Sequence, residues 1–155
     1  MLIGIPPILS PEIVATLMRM GHGDEIVLAD ANFPADSVAR QTVTGELLRL
    51  DAVVIPPLLS AVLTLMPLDY AQIPVFGMAA PPELGKQPIH AAFEAALDER
   101  GYAPDRIEYL PRFDFYERAK KAYAVIATGE TARFANVILK KGVVIVPSPP
   151  AHTDT

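Results

Sequence analysis

The feature that most constrains this chain is an alternation of two kinds of apolar segment. Runs of about strand length at Glu25–Ala29, Val75–Met78, Ile107–Leu110, 123–127 and 135–139 suit strands covered on both faces. Between them lie segments whose apolar residues recur at helical spacing. Ser10-Pro11-Glu12 reads as a helix start: a capping hydroxyl, a proline at the first helical position and an acid in the first turn. Ile13, Leu17 and Met20 continue it, and Gly21 reads as its stop. Ile89, Phe93, Ala96 and Leu97 mark a helix over 88–100, closed by Gly101. Further helices are predicted at 57–65 and 113–122, with a single turn at Ala35–Ala39. Residues 43–50 are ambiguous, and strands are predicted at 51–55 and 143–146. Thr128-Gly129-Glu130 reads as a turn and Lys140-Lys141-Gly142 as a tight connection. Strands alternating with helices predict a single-domain α/β fold, a three-layer α/β/α arrangement with a mixed, mostly buried sheet. The domain is expected over 1–146, with a disordered tail at 147–155.

Length and composition narrow the function. A chain of 155 residues, 51% hydrophobic and 20% charged, fits one globular domain with a real core. A net charge of -5 with no dense Lys/Arg cluster argues against nucleic-acid binding. No cysteine is present, which excludes disulfides and thiolate metal sites and suits the cytoplasm. The longest apolar stretch, 52–68, is broken by Pro56, Pro57 and Pro67, so it reads as buried elements and not as a membrane span. The start of the chain lacks the basic residues of a signal peptide. A mean hydropathy of +0.29 is high for a small domain and predicts apolar surface buried between identical subunits.

The chemistry centres on Gly21-His22-Gly23. An imidazole titrates at about 6.5 when unperturbed, and glycine on either side permits a sharp turn and close approach of a ligand. Asp30 ends the strand that follows, at the kind of position where α/β sheets collect ligands. His22 could equally be a loop histidine after a helix stop. No dinucleotide or phosphate-loop motif and no metal-ligand spacing occurs, so neither cofactor nor metal is expected. The remaining polar set is Asp30, Arg112, Tyr116, Glu117, Arg118, Asn136 and Lys140. Arg118 reads more readily as an ion pair with Glu117 or Asp114, and Tyr116 could be a core aromatic. Asn136 sits in an apolar run, and a buried amide needs partners, either a backbone turn or a ligand. Histidine, carboxylate, arginine and amide together suit the close-packed hydroxyls of a sugar. That set specifies a ligand class and no reaction.

Four motifs, in this order, carry a family resemblance: Met20-Gly21-His22-Gly23-Asp24-Glu25-Ile26, Asp30-Ala31-Asn32-Phe33-Pro34, Arg112-Phe113-Asp114-Phe115-Tyr116-Glu117-Arg118-Ala119, and Thr128-Gly129-Glu130 through Asn136 to Val143. From about residue 1 to 143 the chain resembles the L-fucose mutarotase and D-ribose pyranase (RbsD/FucU) family, and the Arg112 motif is closer to the fucose branch. The resemblance implies a small α/β/α domain in pentameric rings paired into a decamer, with monosaccharide sites at subunit boundaries. It implies His22 as catalytic acid/base and Asp30 and Arg112 as sugar ligands. It places Phe134 and Asn136 where the family carries Tyr-x-Asn facing the sugar, so Phe134 lacks the family's phenol. The implied activity is exchange between the anomers of a free aldose. Sugar binding without catalysis is the alternative.

Overall fold

The computed structural model describes residues 1–147. Its elements run α1 (Pro11–Arg19), β1 (Glu25–Ala29), α2 (Ala35–Ala39), β2 (Leu47–Leu50), α3 (Ile55–Leu65), β3 (Val75–Met78), α4 (Pro88–Asp98), β4 (Ile107–Leu110), α5 (Arg112–Lys120), β5 (Ala124–Thr128) and β6 (Val137–Lys140). The six strands form one sheet in the order β2-β5-β1-β6-β3-β4. β1 pairs in parallel with β5, β5 with β2, and β3 with β4. β6 lies between β1 and β3 and is antiparallel to both. The predicted mixed α/β/α sheet is the fold observed.

The alternation of side chains along a strand builds the layers. In β1, Ile26 and Leu28 enter a core shared with Ile13 and Leu17 of α1, Leu58 and Val62 of α3, and Phe93 of α4. Val27 and Ala29 face the other way, onto Val38 of α2 and Phe115 and Ala119 of α5. β1 and β5 are buried almost throughout, while the edge strands β2 and β4 are partly open. Only strands covered on both faces read as the continuous apolar runs seen in the sequence.

Helix α1 begins as the sequence predicts: the Ser10 side chain accepts from the Ile13 N–H at 3.3 Å, and Pro11 occupies the first turn. Its far end is closed by a residue distant in sequence. The Lys141 ammonium donates to the carbonyls of Leu17 and Met20 at 2.7 and 2.6 Å, satisfying terminal acceptors and meeting the negative end of the helix.

Two predicted strands are absent. Residues 51–55 form a turn and then the start of α3, and the strand lies one step earlier at Leu47–Leu50. Pro56 and Pro57 lack the N–H that a sheet ladder needs, and both fit the first turn of a helix. Residues 143–146 are exposed and form no strand. β6 already has a partner on each side, so no ladder position is left beside it. Lys141 makes one isolated bridge to Leu68, so residues 140–142 end a strand and do not connect two. Of the tail predicted at 147–155, residues 148–155 lie outside the described residues. No helix among the described residues is long and apolar enough to cross a membrane.

The turn after β5 is packed against backbone. The Gly129 N–H donates to the Val53 carbonyl at 2.9 Å, and a β-carbon at Gly129 would overlap the Asp51 carbonyl oxygen. Backbone cannot yield as a flexible side chain can. Gly129→Ala is therefore expected to cost about 3 kcal/mol of stability, seen as a lower denaturation midpoint with an unchanged denaturant slope.

Candidate functional site

Asp30 follows the last residue of β1, and Asn136 precedes the first of β6. Because β6 runs antiparallel to β1, the two meet. The Asp30 N–H donates to Asn136 Oδ1 at 2.7 Å, and Asn136 Nδ2 donates to Asp30 Oδ2 at 2.9 Å. Both residues are buried. The exchange uses both ends of the amide and so fixes which way it points. The other Asp30 oxygen accepts from the Asn32 N–H at 3.0 Å. Burial raises the Asp30 pKa above the usual carboxylate value, and N–H groups of Asn32, Phe33 and Ala135 and the Asn136 amide oppose that rise.

A cavity of about 270 Å³ opens beside this pair, near the small end of ligand pockets, which run from about 300 Å³ upward. Arg112, the first residue of α5, and Tyr116, one turn later, line one side. Tyr116 stands edge-on to Phe33 with ring centres 5.4 Å apart. Phe134 also lines the cavity, and the Arg133 guanidinium lies 5.1 Å from its ring centre. Phe134 has φ +59° and is the one non-glycine residue with positive φ among those described. A left-handed backbone costs such a residue about 1–2 kcal/mol. Asp30, Arg112, Tyr116, Phe134 and Asn136 thus come together around one cavity.

His22 does not join them. It sits before β1, and Asp30 sits after it, so the five residues of β1 separate them by roughly 16 Å of strand at about 3.3 Å per residue. The His22 side chain is 57% exposed, with Nε2 3.3 Å from Asp69 Oδ1. Asp69 is buried, and the same oxygen accepts from the Ala71 N–H at 3.1 Å. The Ala71 N–H and, behind it, the His22 imidazole hold the Asp69 carboxyl below its ordinary pKa. An ionised carboxylate only accepts, so Nε2 is the nitrogen that donates to Asp69. The loop is held at both ends. Gly23 N–H donates to the Lys141 carbonyl, and Lys141 N–H donates to the Asp24 carbonyl, each at 2.8 Å. Asp24 Oδ2 accepts from the Gly21 N–H at 2.7 Å.

The other polar residues belong elsewhere. Arg118 pairs with Glu25 from β1, not with Glu117 or Asp114: its Nε donates at 3.0 Å, and the guanidinium lies 3.5 Å over the Phe76 ring. Sequence spacing favoured the neighbours on the helix, but an inward-facing arginine finds its partner on the sheet. Glu117 pairs with Lys120 on the surface, and Lys140 donates to Gln72 at 2.7 Å. Sequence reasoning missed Asn32, Met78 and Arg133 in the cavity wall, and Asp69 beside His22. Asn32 and Arg133 lie inside the family motifs, Met78 and Asp69 meet motif residues only in space, and none of the four has a chemical signature of its own.

A six-stranded mixed-sheet α/β domain with a small polar cavity where β1 and β6 meet defines the structural class. Residues 3–144 match the model of the RbsD / FucU transport protein family, and the chain belongs to that family. It is 50% identical over 148 residues to the fucose mutarotase of Bos taurus, an alignment covering 90% of this chain and 92% of that one. Among solved structures, the fucose mutarotase of Streptococcus pneumoniae in complex with L-fucose superposes with a TM-score of 0.84 at 48% identity, covering 93% of this chain and 100% of the other. RbsD of Bacillus subtilis complexed with D-ribose gives 0.67 at 29% identity, with 88% and 95% covered. The closer likeness is to the fucose branch.

The Asp30–Asn136 exchange predicts a pH-dependent defect. Asn136→Ala leaves the buried Asp30 N–H without its acceptor and one carboxylate oxygen without its donor, a loss of about 1–3 kcal/mol. It also pushes the Asp30 pKa higher still. A carboxyl whose folded pKa exceeds its unfolded one binds its proton more tightly when folded, so stability falls as pH rises between the two values. The variant's deficit is therefore expected to be larger at about pH 7 than at about pH 4, measured by denaturant melts at both.

Proposed function

We propose that this protein is a sugar mutarotase that interconverts the α and β anomers of a free monosaccharide, with L-fucose or a close relative as substrate. The observation that carries the reading is the sugar-sized cavity built on the Asp30–Asn136 pair, in a chain half identical to a fucose mutarotase. Asp30 accepts from sugar hydroxyls. Arg112 and Asn136 are the polar groups that fix the ring, and the faces of Tyr116 and Phe134 take its apolar side. His22 is the acid/base. The imidazole takes the proton of the anomeric hydroxyl, the bond from the anomeric carbon to the ring oxygen breaks with its electron pair on that oxygen, and the imidazolium gives a proton to it. The aldehyde then turns, and the ring closes on its other face. A neutral imidazole held at Nε2 by Asp69 can accept a proton at Nδ1 and return it.

The strand that lies between His22 and Asp30, roughly 16 Å long, bears on how the site is completed. In this reading a neighbouring copy supplies the His22 loop to the cavity, and a decamer of two pentameric rings is the assembly proposed. The exposed apolar residues Met1, Leu2, Ile3 and Met18, together with 143–146, provide surface for such contacts. We assign the enzyme to the cytoplasm, where a cysteine-free chain is at no disadvantage.

Saturation-transfer NMR at the anomeric protons of L-fucose and D-ribose tests the activity. The parent is expected to carry saturation from one anomer to the other, fastest on L-fucose. His22→Ala is expected to remain folded and lose about 10²–10⁴-fold in exchange rate. Sugar binding without exchange in the parent would instead select a non-catalytic binding protein. Subunit mixing tests the shared site. His22→Ala and Arg112→Ala are each expected to be inactive, and co-refolding them in equal amounts restores about one quarter of the parent rate if each site draws on two copies. No recovery would mean that one chain supplies both groups.

A further inference from the structure

His90 is a buried, titratable residue that the proposed chemistry does not use. It lies in the first turn of α4 with 4% of its surface exposed. Its ring packs 4.5 Å from the ring of Tyr109 and 6.5 Å from that of Phe93. Tyr109 is itself fixed, donating to Glu94 Oε1 at 3.2 Å. It also fills the space left by Gly77, where a β-carbon would come within 2.6 Å of the Tyr109 ring. On its free side, His90 Nε2 stands 3.1 Å from the carbonyl oxygen of Phe134. A carbonyl only accepts, so Nε2 donates. No other protein donor reaches that oxygen among the described residues.

We infer that His90 is a positioning residue of the sugar site: its imidazole N–H holds the Phe134 carbonyl and thereby keeps Phe134 in its left-handed conformation in the cavity wall. Three observations meet at this contact. Phe134 adopts a backbone conformation that a non-glycine residue keeps only when its surroundings impose it. Its carbonyl is inside the protein, where a polar group needs a partner. Two residues later stands Asn136, whose amide carries the exchange with Asp30. Without the donor, the peptide after Phe134 is free to rotate toward another acceptor geometry. Rotation there moves the Phe134 ring out of the wall and loosens the approach to Asn136. His90 does not line the cavity, so it acts through Phe134 and touches no sugar. The inference rests on the sugar-site reading above.

His90→Phe keeps an aromatic ring in the pocket and removes the donor. His90→Gln places an amide N–H close to where Nε2 stands. Exchange NMR over a range of L-fucose concentrations is expected to give His90→Phe a KM about tenfold higher than the parent, with kcat within about twofold. His90→Gln is expected to return KM to within about twofold of the parent. A merely structural role would lower Tm in both variants without this split or this rescue. If His90→Phe does not fold, His90→Leu against His90→Gln reads the same contrast. A folded donor-less variant with the parent's KM overturns the inference, as does a His90→Gln protein as impaired as the donor-less one. A parent that binds L-fucose without exchanging its anomers overturns the catalytic reading, and the same contrast is then read in the dissociation constant for L-fucose. A parent that neither binds nor exchanges the sugar overturns both.

Discussion

The site depends on two hydrogen bonds exchanged between Asp30 and Asn136. A buried carboxylate is expensive unless donors surround it. Here the donors come from the Asn32 N–H and from an amide whose other end is already engaged by the backbone of the residue it serves. That reciprocity removes the freedom of Asn136 to flip. It requires residue 136 to stand beside residue 30, more than one hundred positions away along the chain. Only the insertion of β6 between β1 and β3, against the direction of both, brings them together. An all-parallel sheet of the same strands would start its sixth strand at the opposite end.

β6 also governs the other end. Lys141 follows it directly, ties the last carbonyls of α1 with its ammonium, and fixes the His22 loop with its backbone. One strand of four residues therefore positions Asn136 at one end and His22 at the other. The length of β1 keeps those two groups apart in any single copy. In the proposed mechanism each chain presents a binding half and an acid/base half, and neither half can move toward the other without breaking the central strand pairs. Given a function for both, the geometry favours supply of one half by a neighbour over a large motion within the chain.

Much of this was legible in the sequence because the relevant signals are local. Strand β1, the Ser10-Pro11-Glu12 helix start and the Gly-His-Gly turn each depend on a few adjacent residues. So does the need of Asn136 for partners inside an apolar run. The misread segments lie where tertiary context outweighs local pattern. Ile55 looks like the end of a strand, but the prolines after it suit a helix, and the Glu130 carboxylate accepts its N–H at 3.2 Å from 75 positions away. The apolar run at 143–146 has strand composition, yet its neighbour in the chain is already paired on both sides. Arg118 has acidic residues at helical spacing and turns inward to Glu25 instead. Asp69 has no signal in the sequence: a lone aspartate after Pro67-Leu68 becomes meaningful only when the fold sets it beside His22.

Phe134 joins the two kinds of information. The resemblance implies a tyrosine where the sequence has this phenylalanine, and the structure gives it an unusual backbone. A strained residue persists only where neighbours leave it no easier conformation. The constraints here come from several directions. Asn136 just beyond it is fixed by Asp30 and by the Met78 N–H, which donates to its carbonyl at 3.1 Å. Ala135 between them is fully buried. Arg133 lies over the ring, and His90 takes the carbonyl. Losing a phenol at such a position removes one proton donor from the cavity but leaves its shape in place, because the shape is set by the backbone and its partners and not by the hydroxyl. In the proposed function the wall can therefore remain a sugar-facing surface while proton transfer falls to His22, the side chain whose chemistry suits that work.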